Sequence, residues 1–317
     1  MKALIIDQVS QNIRPFLEKN GADVDYVFLP THDELRDMIG KYDLLVMRVD
    51  PRIDKEILDA AVNLKAITIH AVGTNHVDLK YAAEKGITVT NAPGMNHNTV
   101  AEMTVLKMLE CARNSVPANN AVKNHHWNKY VWMGTELTHK TLGIIGIGKI
   151  GTRVVELMRG FEMNVIAFDP YLTAEQVAER GGKQVTMDEL LAQADVISIH
   201  CPLNEETVNL IAAPEFMKMK DGAIVLNMAR GGIVNEEAVY DALKSGKIRS
   251  YGADVMAAEL SGKESPVRGE MLVDSPLFEL DNFVISPHIA GGGTIDGLDT
   301  IGECVMNHIC RLFGYSR

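Results

Sequence analysis

One stretch of about thirty residues constrains this chain more than any other. Residues 142–147 form a short apolar run, and Gly146-x-Gly148-x-x-Gly151 follows directly. Residues 150–159 then have helical character, 165–168 form a second apolar run, and Asp169 ends it. Each part has a physical task. Gly146 allows a tight turn out of a strand, Gly148 lets backbone approach a pyrophosphate, and Gly151 lets helix and strand pack closely. The helix start offers free N–H groups and a positive dipole end to phosphates. Asp169 sits where a carboxylate accepts hydrogen bonds from ribose hydroxyls. Glycines at this spacing also mark ordinary turns. Strand before, helix after and acid beyond together read as a dinucleotide site.

Asp169 also bears on which dinucleotide. A 2′-phosphate about 4 Å from a carboxylate costs roughly 1 kcal/mol in water and about 4 at an effective dielectric near 20. Pro170, Tyr171 and Leu172 supply no cation to receive that phosphate. The expectation is NAD rather than NADP.

The rest of the chain sets limits. Its 317 residues suit two domains better than one core. A net charge of −11, with no dense basic run, argues against nucleic acid as a partner. An anionic small molecule would need a local Arg. The apolar part of Met-Lys-Ala-Leu-Ile-Ile-Asp is short for a signal peptide and reads as a first strand. No apolar stretch reaches the ~20 residues that span a bilayer. Cys111, Cys201, Cys304 and Cys310 are scattered, without a Cys-x-x-Cys pair. No metal or disulfide framework is expected, and a reducing cytoplasm fits.

Strand and helix patterns alternate nearly throughout, which implies parallel sheets covered on both faces. Strands are expected at 2–6, 25–28, 44–47, 66–69 and 88–90, with helices near 12–19, 32–39, 55–61 and 79–85. A long helix is expected at 99–113, followed by a less regular stretch over 119–138 that carries Trp127 and Trp132. Beyond the fingerprint, strands fit 196–200, 223–227, 251–254 and 283–285, and helices fit 187–193, 213–219 and 236–245. Asn235 suits an N-cap and Gly246 a helix C-terminus. The segment 291–317 is too short for a domain and should return as a helix. The α/β class is thus two doubly wound parallel-sheet domains. A Rossmann-type nucleotide domain, 94–290, is inserted into a flavodoxin-like substrate domain, 1–93 plus 291–317. The crossings fall at Pro93-Gly94 and Gly291-Gly-Gly293.

Three polar residues follow strand ends in the second domain: Arg230, Glu259 and His288. Ligands in open α/β sheets bind beyond such ends. A guanidinium grips a carboxylate by two parallel hydrogen bonds. A histidine gives or takes a proton near neutral pH. A glutamate beside it orients the ring and favours its charged form. Singly, each reads as an ordinary structural or surface residue; after the fingerprint, the set fits hydride transfer to the C2 of a 2-oxo acid. His288 would protonate the ketone oxygen, and would take the hydroxyl proton in reverse.

At this point nearly the full chain resembles the D-2-hydroxyacid dehydrogenase family. The segments concerned are Leu142 to Gly151, His200-Cys-Pro-Leu203, Asn227-Met-Ala-Arg-Gly-Gly232, Gly252-Ala-Asp-Val255 with Glu259, and Ser286-Pro-His-Ile-Ala-Gly291. The resemblance implies Arg230 as the polarising residue, Glu259 as partner of the proton donor and His288 as the donor. It implies Lys149 and Ile150 at the pyrophosphate through their backbone. Cys201 would lie on the adenine side, Met228, Ala229 and Arg230 along the cofactor and Asp254 near the nicotinamide amide, with His200, Pro202, His288 and Ala290 also binding the cofactor. Backbone N–H groups of Val72 and Gly73 would hold the substrate carboxylate. Dimerisation through the nucleotide domain would use the stretch from Trp127 to Leu137.

The substrate side departs from the family pattern. Asn75 stands where an Asp is common, Met256-Ala-Ala258 replaces bulkier residues, Leu260 replaces Pro, and the insert from Ser261 to Val273 is long. Arg48, after the strand at 44–47, resembles a phosphate contact of phosphoglycerate dehydrogenases, and equally reads as a surface charge. No C-terminal regulatory domain of the kind many of those enzymes carry is expected, and short forms exist. Three readings stay open: a dehydrogenase of a small D-2-hydroxy acid, a short 3-phosphoglycerate dehydrogenase, and an NADH-binding corepressor or scaffold that keeps the fold.

Overall fold

The computed structural model describes residues 1–260, 262–265 and 267–317. Ser261, where the expected insert begins, lies outside them. The chain forms two units, Met1–Asn96 with Gly292–Arg317, and His97–Gly291.

In the first unit the strands are β1 (Lys2–Ile5), β2 (Asp23–Tyr26), β3 (Leu44–Met47), β4 (Ala66–Ile69) and β5 (Thr88–Thr90). All neighbours pair in parallel, in the order β2-β1-β3-β4-β5. Every residue of β3 is buried, as expected of a parallel strand with helices on both faces. Leu35, Ile39, Ile57 and Leu58 from the helices His32–Ile39 and Lys55–Ala60 fill one side. Ile13 and Leu17 fill the other, together with Ile301 and Val305 of the final helix, Ile295–Phe313. That helix starts on Thr294, whose side chain accepts the Gly297 N–H at 3.0 Å. The second strand lies two residues earlier than expected. Tyr26, at the end of this edge strand, and Phe28 beyond it are 48% and 44% exposed, whereas Val24 is buried.

The second unit contains β6 (Thr141–Ile145), β7 (Asn164–Phe168), β8 (Lys183–Gln184), β9 (Val196–Ile199), β10 (Ala223–Asn227), β11 (Ile248–Ala253), the antiparallel pair β12 (Lys263–Glu264) and β13 (Met271–Leu272), and β14 (Phe283–Ile285). Seven of them form a parallel sheet in the order β14-β11-β10-β9-β6-β7-β8. The chain winds outward from β6 to β8, then restarts at β9 on the other side of β6. The reversal between β6 and β9 is the position where such sheets bind ligands. Helices His97–Arg113 and Lys149–Met158 cover one face, and Met187–Gln193, Ala213–Lys218 and Glu236–Lys244 the other. Asn235 caps the last of these by accepting the Ala238 N–H at 2.9 Å, and Gly246 follows it at φ +76°.

Three further elements differ from expectation. A helix covers Ser115–Lys123 and runs into the stretch read as irregular from 119. Asn114, left-handed at φ 50°, breaks it from the preceding helix, and Pro117 is tolerated in its first turns. The two-residue β8 and the helix Ala174–Glu179 were too short to leave a periodic pattern. Among the described residues no helix is long and apolar enough to cross a membrane.

Candidate active site

The glycine turn after β6 has the geometry of a cradle. Gly146 sits at φ +85°, and a Cβ there would meet the Cys201 nitrogen at 2.9 Å. A Cβ on Gly151 would fall 2.6 Å from the Gly146 oxygen, so the helix presses directly on the turn. At Gly148 a Cβ would meet nothing within 4 Å, and the helix Lys149–Met158 begins there without a side-chain cap. Open space over uncapped donors, including the Lys149 and Ile150 end, fits a diphosphate.

Asp169, at the end of β7, closes this turn from the side. Its Oδ2 accepts the Ile147 N–H and its Oδ1 the Tyr171 N–H, both at 3.1 Å. Arg180 donates from Nη1 to the Ile147 oxygen at 2.6 Å. It left no signal in the sequence, because the short helix before it was not expected. The exposed Tyr171 donates its hydroxyl to Glu206 at 3.2 Å, so the Asp169 and Glu206 carboxylates and the Arg180 guanidinium border this rim.

His200 and Cys201 follow β9. His200 Nε2 shares a hydrogen bond with Ser198 Oγ at 2.8 Å, and its buried Nδ1 has no partner among the described residues. Burial pushes the imidazole down to about 4 and the Cys201 thiol up to about 11. Pro202 is exposed, and its carbonyl accepts the Thr207 hydroxyl at 2.6 Å.

Beyond β10, Asn227 holds the turn that carries Arg230. Its Oδ1 accepts the Ala229 N–H at 3.0 Å and its Nδ2 donates to the Arg230 oxygen at 2.9 Å. A buried Asn at a strand end needs such partners; the motif containing it was recognised, its task was not. The Arg230 side chain is exposed and rests on the Ala229 oxygen at 2.7 Å. Met228 and Ala290 are buried against Ile150, which joins the turn after β10, the loop after β14 and the fingerprint helix.

The structure brings Glu259 and His288 together. His288 Nδ1 lies 2.7 Å from Glu259 Oε2. His288 is 49% exposed by side chain and Glu259 30%. His288 stands at φ 52°, unusual for a non-glycine residue. Asp254 holds it there. The Asp254 oxygen accepts the His288 N–H at 2.8 Å. Its carboxylate, 1% exposed, accepts from Ser286 Oγ at 2.6 Å and from the N–H groups of Ile289 at 3.0 Å and Ala290 at 2.7 Å. Both Asp254 oxygens are thus taken up inside the loop rather than presented outward.

In the first unit, Asp7, Arg48 and His70 end β1, β3 and β4. Asp7 is 8% and His70 1% exposed. Burial pushes the Asp7 carboxyl up, partly offset by the Arg48 charge. His70 accepts the Ser10 N–H at 3.3 Å, and burial holds its imidazole near about 4. Arg48 lies against Gly292, where a Cβ would fall 2.2 Å from Nη2. Val72 and Gly73 lie half-buried in the loop after β4, and the Val72 oxygen accepts Asn91 Nδ2 at 2.6 Å.

Comparison with known proteins agrees with this architecture. Residues 105–290 match the family model of the D-isomer specific 2-hydroxyacid dehydrogenase NAD-binding domain. The chain is 41% identical over 312 residues to a D-3-phosphoglycerate dehydrogenase of Archaeoglobus fulgidus, covering 98% of this chain and 57% of that one. It therefore spans little more than half the length of that relative. It is 37% identical over 282 residues to a hydroxypyruvate reductase of Thermotoga maritima, covering 89% of this chain and 88% of the relative. A crystal structure of the Aquifex aeolicus D-lactate dehydrogenase, complexed with NAD and lactic acid, superposes with a TM-score of 0.77 at 29% identity, over 99% of this chain and 96% of that one. With the cradle, the strand-end residues and these similarities in place, the chain belongs to the D-isomer specific 2-hydroxyacid dehydrogenases and carries their NAD-binding domain.

Proposed function

We propose that this chain is an NAD-dependent oxidoreductase that interconverts a D-2-hydroxy acid and its 2-oxo acid. The observation that carries the reading is the His288–Glu259 pair at 2.7 Å, held beyond the strand ends of a dinucleotide fold. Bound NAD supplies the hydride acceptor, and NADH the donor, at nicotinamide C4. The turn at Gly146, Gly148 and Gly151, with backbone N–H groups of Lys149 and Ile150, binds the diphosphate. Asp169 accepts from the ribose hydroxyls, which favours NAD. Residues 200–202 bound the adenine, and 228–230, Asp254 and Ala290 shape the nicotinamide end. His288 donates a proton to the ketone oxygen in reduction and removes it in oxidation, while Glu259 fixes the ring through Nδ1. Arg230 turns from the Ala229 carbonyl to the substrate, pairing with its carboxylate and polarising the C2 oxygen. In the first unit, the loop after β4 offers backbone N–H groups at Val72 and Gly73 to a carboxylate.

A phosphorylated acid, 3-phosphoglycerate, is the second reading. Arg48 at the end of β3 and the phosphoglycerate dehydrogenase relative favour it. Arg48→Ala should then raise KM for the phosphorylated acid and leave smaller acids unaffected. A homodimer through the second unit is favoured by Trp127, Tyr130 and Met133, which are 84%, 76% and 72% exposed. The deciding experiment follows NADH absorbance with a panel of 2-oxo acids. Consumption with at least one acid is expected. NADH binding without turnover on any acid would contradict the enzyme reading and favour a corepressor or scaffold.

A further inference from the structure

The loop that carries Glu259 is held by a residue with no role in the account above. Glu236 opens the helix Glu236–Lys244, a few residues beyond Arg230. Its Oε1 accepts the Ala257 N–H at 2.6 Å. Ala257 begins the short 3-10 turn Ala257–Leu260 that contains Glu259. The first N–H groups of a helical turn have no partner within it and need an outside acceptor. Glu236 supplies one.

A second contact acts on the same peptide. A Cβ on Gly231 would fall 2.1 Å from the Met256 oxygen and 2.6 Å from the Ala257 nitrogen. Here the turn after β10 and the loop after β11 touch backbone to backbone. From the other side, the Glu259 N–H reaches the Met256 oxygen at 3.4 Å, and the Glu259 carboxylate accepts the Met256 N–H through Oε1. The remaining oxygen, Oε2, meets His288. The peptide between Met256 and Ala257 is therefore gripped by Gly231 and Glu236 from the Arg230 side and by Glu259 from its own side.

We propose that Glu236 is a positioning residue for the reaction: it registers the Glu259 loop against the Arg230 turn, and so fixes the distance from Glu259 to His288. The proposal rests on the dehydrogenase reading for its rate consequences, but not for its structural one. Losing the acceptor at Glu236 frees Ala257, lets the 3-10 turn shift, and loosens Glu259 on Nδ1. Proton transfer then suffers while the grip of Arg230 on the substrate carboxylate remains, so kcat falls more than KM rises. An acid in the first turn also stabilises a helix through its dipole. The exposed neighbour Glu237 supplies that effect without touching the loop, which makes it the control.

The experiment compares the full chain with Glu236→Ala, Glu236→Gln and Glu237→Ala. Glu236→Ala should lose roughly tenfold or more in kcat, part of the hundredfold or more that a positioned proton donor contributes, with KM for the oxo acid within about threefold. Glu236→Gln keeps an amide oxygen for Ala257 and should recover most of the loss; Glu237→Ala should match the parent. The 15N signals of the His288 ring, read without cofactor or substrate, should show Nδ1 hydrogen-bonded in the parent and in Glu236→Gln, and altered in Glu236→Ala. An unaltered ring signal in Glu236→Ala, or a kcat no lower than that of Glu237→Ala, overturns the proposal. A parent with no turnover overturns the dehydrogenase reading alone, and the ring signal then decides the role of Glu236 by itself.

Discussion

At the carboxyl end of its sheet, the second unit exposes the side chains proposed to react and ties their backbones to buried partners. At the same end of the first unit, two of the three charged or titratable groups are themselves buried. His288 and Arg230 are open to solvent, yet their backbones are fixed by Asp254 and Asn227, each 1% exposed. Asp7 and His70 lie at 8% and 1% exposure, with the half-buried Arg48 between their strands. The lesson is a division of labour. A proton donor must reach its substrate and therefore depends on a frame beneath it. A group that only shapes charge can be buried, at the cost of a shifted protonation equilibrium.

Arg230→Ala should show the largest effect. It removes a bidentate charged contact and the polarising group together, for a loss of about 4 kcal/mol, roughly a thousandfold in kcat/KM. Activity near that of the parent would remove Arg230 from the mechanism and with it half of the contrast. Asp254→Ala tests the frame. It strands the Ser286 hydroxyl and two N–H groups in a buried site, at about 1–3 kcal/mol for each group left unsatisfied. Chemical denaturation should show a loss of several kcal/mol, and kcat should fall because His288 no longer has a fixed backbone. An unchanged midpoint would mean that the loop is held by something else.

Cofactor choice sharpens the same picture on the β7 side. Asp169, Glu206 and the absence of a nearby exposed cation in 170–172 should favour NAD over NADP by between about fivefold and a thousandfold in kcat/KM, from the 1–4 kcal/mol repulsion given above. A preference for NADP would contradict it. Asp169→Ala should narrow the ratio.

The smallest effect concerns the buried side of the contrast. His70 sits near about 4 in the fold, against 6.5 for a free imidazole. The unfolded chain therefore binds that proton more readily. The stability that the neutral ring permits is complete above pH 6.5 and is withdrawn as pH falls toward 4. His200, also near about 4, adds the same dependence from the second unit. Replacing His70 by Leu should flatten the slope of unfolding free energy over that window, by on the order of 2–3 kcal/mol in total. An unchanged slope would place the ring in a site where it takes its proton without cost.

Much of the second unit was legible because its motifs report backbone needs. A positive φ at Gly146 and the Gly146–Gly151 contact each require glycine, and both lie, with the open space over Gly148, inside one short pattern. The strand runs were legible because parallel strands are apolar on both faces. The frame was not. Asn227 and Asp254 stand in recognised segments, but their partners are backbone groups and one hydroxyl, which leave no spacing to read. Arg180 and Glu236 act on the backbone of other segments, Ile147 and Ala257, so only the folded chain shows their targets. In the first unit, the edge strand β2 was placed two residues late, and the burial of Asp7 and His70 leaves no pattern in the sequence.

The most direct test of the account is kcat for 2-oxo acid reduction by NADH, in the parent and in Glu259→Ala. On the proposed reading His288 gives the proton and Glu259 fixes its ring through Nδ1. Loss of the carboxylate should therefore lower kcat by roughly a hundredfold, the low end of what a positioned proton donor contributes. A kcat equal to that of the parent would contradict the pairing as the source of the proton.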